Sequence, residues 1–125
     1  APFVKCRLSS ALFKNFDNIQ ILPPVNIFEL YRLYEHTRII ITDSGGMQEE
    51  APGFQIPVIV IREQTERTES LDLGYAELTG IHSEKLIGAF RQLIGRQSVP
   101  MTNPYGSGQA AGRIVTHLQA SVRFH

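Results

Sequence analysis

The hydrophobic positions of this chain form short continuous runs that alternate with helical patterns. Two β-branched runs without polar alternation, Arg38–Thr42 and Pro57–Ile61, are typical of parallel strands that are covered on both faces. Phe3–Arg7, Asn18–Leu22 and Ala76–Thr79 are weaker strand candidates, because each is short and bounded by turn residues. The pattern therefore predicts about five strands.

Helical spacing of apolar residues fills the intervals between these strands. The expected helices are Asn26–His36, a short segment opening at Ser44, Glu66–Leu73 ended by Gly74, Glu84–Ile94 with Ser83 as N-cap, and Gln109–Val122. Strands that alternate with helices predict a doubly wound, mostly parallel α/β sheet. Ligands of such sheets bind outside the carboxyl ends of the strands.

Composition narrows the possible partners and cellular locations. A chain of 125 residues fits one domain, and its 12 basic and 12 acidic residues are mixed rather than clustered, which argues against nucleic acid. The single cysteine, Cys6, excludes an internal disulfide and fits a cytoplasmic protein. No apolar run approaches the roughly 20 residues that a membrane helix needs, so we expect no membrane partner. The first residues resemble neither an initiator segment nor a signal peptide, which suggests a fragment.

The segment TDSGGMQEEAP, residues 42–52, carries the main chemical signal. A buried strand passes through two glycines directly into a helix start, where amides without intrachain acceptors can bind a phosphate. Glu50 follows Ser44 by six residues, about 9 Å along a helix axis, which is a suitable distance for a carboxylate that binds a sugar diol. The alternative is structural: Ser44 is only an N-cap, the glycines form a tight turn, and the acidic residues favour the helix start. The residues alone leave both interpretations open.

Three motifs together resemble the UDP-N-acetylglucosamine 2-epimerases, whose fold is the two-domain glycosyltransferase-B-like fold. They are TDSGGMQEEAP, PVIVIREQTERTES at residues 57–70, and NPYGSGQA at residues 103–110. The resemblance extends from about Asn18 to the end of the chain. It implies that residues 1–125 are the carboxy-terminal, Rossmann-like UDP-binding domain, incomplete at its amino end and without the catalytic amino-terminal domain.

The resemblance also implies roles for individual residues. In matching positions the family binds the UDP diphosphate, the ribose hydroxyls and the uracil. The diphosphate residues are Ser44, Gly45, Gly46 and Arg67, the ribose residue is Glu50, and the uracil region contains Val25 and Leu30. Arg67 also has a structural alternative, as a surface arginine beside Glu63 or Glu66. Within NPYGSGQA, Pro104 and the two glycines predict a compact turn. The resemblance adds Tyr105 as a residue that lines the cleft.

The function implied is the interconversion of UDP-N-acetylglucosamine and UDP-N-acetylmannosamine. In the family the C2 proton is abstracted, UDP is eliminated, and UDP is added back after inversion. The acid–base groups come largely from the other domain, so we assign no catalytic residue here and expect UDP binding without turnover. We expect no metal and no cofactor, since the four histidines lack metal-ligand spacing. The resemblance further implies that the full-length enzyme is a homodimer.

Two other functions stay open from the sequence. The first is the donor-binding half of a glycosyltransferase, because that fold shares the nucleotide grip. The second is a non-enzymatic nucleotide-binding or assembly domain, in which an exposed strand edge drives self-association. The TER segment and NPYGSGQA favour the epimerase over the glycosyltransferase.

Overall fold

A computed structural model describes residues 16–96 and 102–121 of the chain. The chain divides into two compact units, residues 1–32 and 33–125, and each is described here by itself. In chain order the elements are α1 (Ile27–Tyr34), β1 (Ile40–Thr42), α2 (Gly45–Glu50) followed by a 3₁₀ turn (Ala51–Phe54), β2 (Val58–Val60), α3 (Thr68–Asp72), β3 (Ala76–Leu78), α4 (Ser83–Ile94) and α5 (Ala110–Ser121).

The described strands form one parallel sheet in the order β1-β2-β3. Ile41 of β1 is in register with Ile59 of β2, which is in register with Glu77 of β3. Each strand is followed by a helix, so the predicted parallel α/β fold is confirmed.

The prediction of about five strands is only approximately right, because the sheet of the described residues has three. The expected strand at Asn18–Leu22 is wrong: this segment is irregular and begins beside a turn in which Ile19 N donates to Phe16 O at 3.2 Å. Its apolar side chains are also exposed, with Ile21 at 54 %. β-branched residues favour a strand only where a neighbouring strand completes the ladder. The fifth candidate, Phe3–Arg7, lies outside the described residues.

The core of the sheet lies on β2, whose three residues are all buried. Ile59 packs with Ala89 and Leu93 of α4, and Ile39 and Leu86 join the edge of this cluster. The expectation of two covered faces is therefore confirmed for β2. It is wrong for β1, since Ile41 is 46 % exposed in this edge strand of the described sheet.

Helix ends depart from the predictions by one or two residues. The N-cap of α4 is His82, in extended conformation, and Ser83 is the first helical residue. Leu86 N donates to His82 O, so the first helical hydrogen bond forms one residue earlier than expected. At the end of α3, Gly74 adopts a φ of +73° and stops the helix as predicted. Among residues 16–96 and 102–121, no helix has the length and apolar character needed to cross a bilayer.

Candidate functional site

The junction between β1 and α2 forms the predicted strand–turn–helix. Thr42 ends the strand, and its hydroxyl oxygen accepts from Ser44 N at 3.0 Å. Ser44 is the N-cap, in extended conformation, with its Oγ accepting from Met47 N at 3.5 Å. Since 3.5 Å is long for a hydrogen bond, this cap is weak. The structural role that the sequence left open for Ser44 is thus present, and it leaves the hydroxyl proton available to a ligand.

The two glycines keep the backbone of this helix start accessible. Gly46 is exposed, and an added Cβ there meets only Ser44 Oγ, at 3.9 Å. Among the described residues, no group of the protein accepts a hydrogen bond from the amide of Gly45 or Gly46. Amides in a first helical turn have no partner within the helix, so both remain available to an external acceptor.

The guanidinium of Arg67 lies directly over Gly45. A Cβ added to Gly45 would come within 2.8 Å of Arg67 Cζ, so any other residue at this position would force the arginine side chain to shift. Arg67 Nε donates to Glu49 Oε1 and Nη1 donates to Glu66 Oε2, both at 2.7 Å. The hydrogen bond to Glu49, with the added attraction of both carboxylates, raises the pKa of Arg67 above its usual range. The fold therefore places a permanently charged guanidinium beside the first helical residue of α2.

Two of the five N–H donors of this guanidinium are used by the carboxylates. The Arg67 side chain is 30 % exposed, and Glu66 beside it is 77 % exposed. A phosphate can therefore reach the remaining donors and compete with the carboxylates for the others.

Glu50 lies at the opposite end of α2, where it is half-buried. Tyr34 is 3 % exposed, and its hydroxyl donates to Glu50 Oε2 at 3.4 Å. The Tyr34 ring meets the Phe54 ring edge-on, with their centroids 5.2 Å apart. Since 3.4 Å is long for an O–H···O hydrogen bond, this contact is weak, and the carboxylate keeps acceptor capacity for a ligand.

Sequence reasoning missed the buried residues that connect this site. Gln48 is completely buried in α2 and bonds to Thr65 in the loop that carries Arg67. Ser70 is also completely buried and donates to Tyr105 Oη at 2.9 Å. The sequence shows only that Gln48 lies four positions after Ser44, on the same face of a helix. This spacing does not identify Thr65 as the hydrogen-bond partner of Gln48.

Tyr105 belongs to a turn, as predicted for NPYGSGQA. Asn103 Oδ1 accepts from Tyr105 N at 3.0 Å, and Gly106 N donates to Asn103 O at 3.2 Å. Since its hydroxyl is bonded to Ser70, Tyr105 serves to attach this turn to α3.

The proposed uracil residues lie in the other unit, residues 1–32. Val25 is 36 % exposed and Leu30 is half-buried. Asn26 caps α1: its Oδ1 accepts from Phe28 N and Glu29 N, both at 3.0 Å, while Glu29 Oε2 accepts from Asn26 N at 3.0 Å. This reciprocal cap fixes the start of the helix. The uracil role of Val25 and Leu30 stays a prediction.

Fold and local geometry together define the class of protein. This is a parallel α/β chain in which a cation and unpaired helix-start amides meet at the carboxyl end of a strand. Such an arrangement is typical of domains that bind phosphate-containing ligands. Among the described residues, no three histidine, cysteine, aspartate or glutamate side chains are grouped so that they could hold a metal.

Comparison with known proteins specifies the family. The family model described as UDP-N-acetylglucosamine 2-epimerase matches residues 1–119. A putative UDP-N-acetylglucosamine 2-epimerase of Thermotoga maritima is 38 % identical over 109 residues, covering 83 % of this chain and 29 % of the relative. The chain belongs to the UDP-N-acetylglucosamine 2-epimerase family.

Solved structures agree with this assignment. The UDP-GlcNAc 2-epimerase of Methanocaldococcus jannaschii, in complex with UDP-GlcNAc and UDP, matches with a TM-score of 0.76 and 37 % identity, covering 86 % of this chain and 30 % of that one. MnaA of S. aureus, solved with UDP, matches with a TM-score of 0.81 and 32 % identity, covering 98 % and 34 %. The chain thus spans about 30 % of the length of the curated relatives it matches.

Proposed function

We propose that this chain is the carboxy-terminal, UDP-binding part of a UDP-N-acetylglucosamine 2-epimerase. The complete protein would interconvert UDP-N-acetylglucosamine and UDP-N-acetylmannosamine. Family membership supports the activity, and the M. jannaschii relative solved with UDP-GlcNAc and UDP supports the ligand. The named relatives support an epimerase rather than the donor-binding half of a glycosyltransferase.

One observation carries the diphosphate proposal: the Arg67 guanidinium lies against Gly45, at a helix start where the amides of Gly45 and Gly46 have no acceptor among the described residues. In this proposal the amides and the Ser44 hydroxyl donate to phosphate oxygens, and Arg67 pairs with the same anion through its planar fork. The diphosphate would take Arg67 donors from Glu49 and Glu66. Because both carboxylates are exposed, their release into water is inexpensive.

The ribose contact follows from the same pose, whereas the uracil contacts rest on the resemblance alone. With phosphate at the start of α2, the ribose diol would bind Glu50 at the end of that helix, as the spacing of the two residues allows. Val25 and Leu30 are proposed to contact the uracil, on the basis of the family resemblance.

In the reaction, the chain would stabilise the negative charge of the departing UDP. Preorganised amides and a fixed guanidinium are suited to charge that develops in a transition state. The groups that move the C2 proton are proposed to lie in the part of the relatives that this chain does not span, so the chain by itself binds UDP without turnover. A homodimeric full-length enzyme and a cytoplasmic location are expected on the same resemblance.

Substitution of Gly46 by alanine tests whether a ligand approaches this backbone. The free protein has room for the methyl group, whose nearest contact is at 3.9 Å, so folding should be unaffected or stabilised by up to about 1 kcal/mol. If a phosphate binds here, the methyl group must displace it, and UDP affinity measured by isothermal titration calorimetry should fall about tenfold.

Gly88→Ala is the matched control, because Gly88 is also helical and an added Cβ meets nothing within 4 Å. That variant should bind UDP like wild type. Equal affinities for Gly46→Ala and wild type would remove the diphosphate proposal.

The activity needs a separate test. The complete protein, incubated with UDP-N-acetylglucosamine, should give UDP-N-acetylmannosamine detectable by chromatography and NMR. The 125-residue chain alone should give none. Turnover by the isolated chain would contradict the assignment of the acid–base groups to the missing part, and transfer of the sugar to an acceptor would contradict the epimerase.

A further inference from the structure

A buried hydrogen-bonded connection joins the two halves of the proposed phosphate site. The Gln48 side chain is 0 % exposed, and both ends of its amide are bonded. Its Nε2 donates to the carbonyl of Ser44 at 3.2 Å, and its Oε1 accepts from Thr65 Oγ1 at 2.7 Å. The amide thus links the N-cap of α2 to a loop 17 residues further along the chain.

Thr65 continues the connection to Arg67. The hydroxyl that donates to Gln48 also accepts from the backbone amide of Arg67, at 3.2 Å. Thr65 Oγ1 therefore uses its one proton and one of its lone pairs in a consistent direction. From the Ser44 carbonyl to the Arg67 amide, every donor meets an acceptor.

A buried amide is an unusual choice if packing alone is needed. An amide group that is buried without hydrogen-bond partners destabilises the fold, whereas an apolar side chain of the same size fills the space without that cost. Here the amide forms directed bonds between the helix-start backbone and the backbone of the arginine. Directed bonds fix a distance and an angle, whereas apolar contacts fix volume.

We propose that Gln48 and Thr65 are positioning residues that hold the Arg67 guanidinium over the Gly45–Gly46 amides at the separation a diphosphate requires. The inference rests on the proposed function, in which those groups bind UDP. Gln48 and Thr65 touch no ligand in this scheme: Gln48 is bonded to the Ser44 carbonyl, and Thr65 acts through the backbone amide of Arg67. Displacement of a binding group by about 1 Å is enough to weaken a multidentate contact severely.

The test compares Thr65→Val with Thr65→Ser in UDP titrations. Valine keeps the shape of threonine but removes the hydroxyl, so UDP affinity should fall about tenfold. Serine keeps the hydroxyl and should stay within about twofold of wild type. Gln48→Met, which keeps the length of the side chain without its amide, is the second variant and should match Thr65→Val. All variants are compared at a temperature at which circular dichroism shows them folded.

A double-mutant cycle separates positioning from general stability. If Thr65 acts through Arg67, then Thr65→Val in an Arg67→Ala background should change UDP affinity by less than about twofold. Equal losses in both backgrounds would show a purely structural role and overturn the inference.

Two further outcomes are distinguishable. If wild type binds UDP and Arg67→Ala weakens it, but Thr65→Val and Gln48→Met bind like wild type, the positioning inference is overturned and the proposed function stands. If wild type itself shows no UDP binding, the proposed function fails and the inference fails with it.

Discussion

Two helices of this chain have a glycine at or near their start that a charged side chain approaches closely, and the two charges have opposite sign. At α2 the guanidinium of Arg67 lies over Gly45. At α4 the carboxylate of Glu63 lies over Gly80, where an added Cβ would come within 2.8 Å of Glu63 Cδ. Both helices follow a parallel strand, and both charged side chains come from the loop after β2. Gly45 is the first residue of α2, whereas Gly80 lies two residues before His82, the N-cap of α4, with a φ of +59°.

In the proposed scheme, a helix start does not make an anion site by itself. α4 has 12 residues against 6 in α2, and its N-cap makes no side-chain hydrogen bond. The longer helix therefore offers the larger dipole and the less occupied amides. Glu63 opposes an anion there and lies 3.5 Å from His82 Nε2, while Arg67 attracts one at α2. In the proposed scheme, the charge of the neighbouring side chain therefore determines at which helix start a phosphate binds.

Among the substitutions that test this comparison, removal of the Arg67 side chain should reduce UDP affinity the most. Arg67→Ala eliminates the cation, so UDP affinity should fall roughly thirtyfold because hydrogen bonds between charged groups are lost. Isothermal titration calorimetry at constant ionic strength gives the ratio. Arg96→Ala is the matched control, since Arg96 also lies beside a glycine and donates to Gly74 O at 2.8 Å. Similar losses in both variants would mean that general charge, not the α2 site, binds UDP.

The fold was predictable wherever a short segment determined its own structure. The apolar run at Pro57–Ile61 and the stop at Gly74 both needed only local information, and both were confirmed. Asn18–Leu22 has comparable β-branched residues, but whether they form a strand depends on a partner elsewhere in the chain. Local pattern cannot supply that partner.

The candidate site divides in the same way. The start of α2 at Ser44 followed from the order strand, glycines, helix, all within a few residues. The contact of Arg67 with Gly45 joins positions 22 apart, and its support by Gln48 and Thr65 is a property of the packed structure. The residue types suggested an anion site, but only the packed structure shows the cation over the glycine. It also shows two carboxylates bound to this cation: Glu66, which the structural alternative for Arg67 had named, and Glu49, which no motif indicated.

The two adjacent carboxylates at the end of α2, Glu49 and Glu50, should have opposite effects on UDP affinity. Glu50→Gln should lower UDP affinity about tenfold, because the proposed ribose diol loses a charged acceptor.

Glu49→Gln should instead raise UDP affinity about threefold at low salt, since Arg67 loses its competing partner and a negative charge leaves the phosphate site. Calorimetric titration of both variants against uridine monophosphate and UDP separates ribose from diphosphate effects. A loss for Glu49→Gln would show that this carboxylate orients Arg67 rather than competing for it.

Neutralisation of Glu63 should have the smallest effect and directly tests the contrast between the helix starts. Glu63→Gln removes the opposing charge at α4 but supplies no cation, so UDP affinity should change by less than about twofold. Titration should also keep a stoichiometry of one, because exposed first-turn amides alone bind an anion too weakly to compete with water. A second binding event in Glu63→Gln would show that repulsion was all that kept phosphate from α4. The cation at α2 would then determine how tightly the anion binds, and the carboxylate at α4 would determine where it binds.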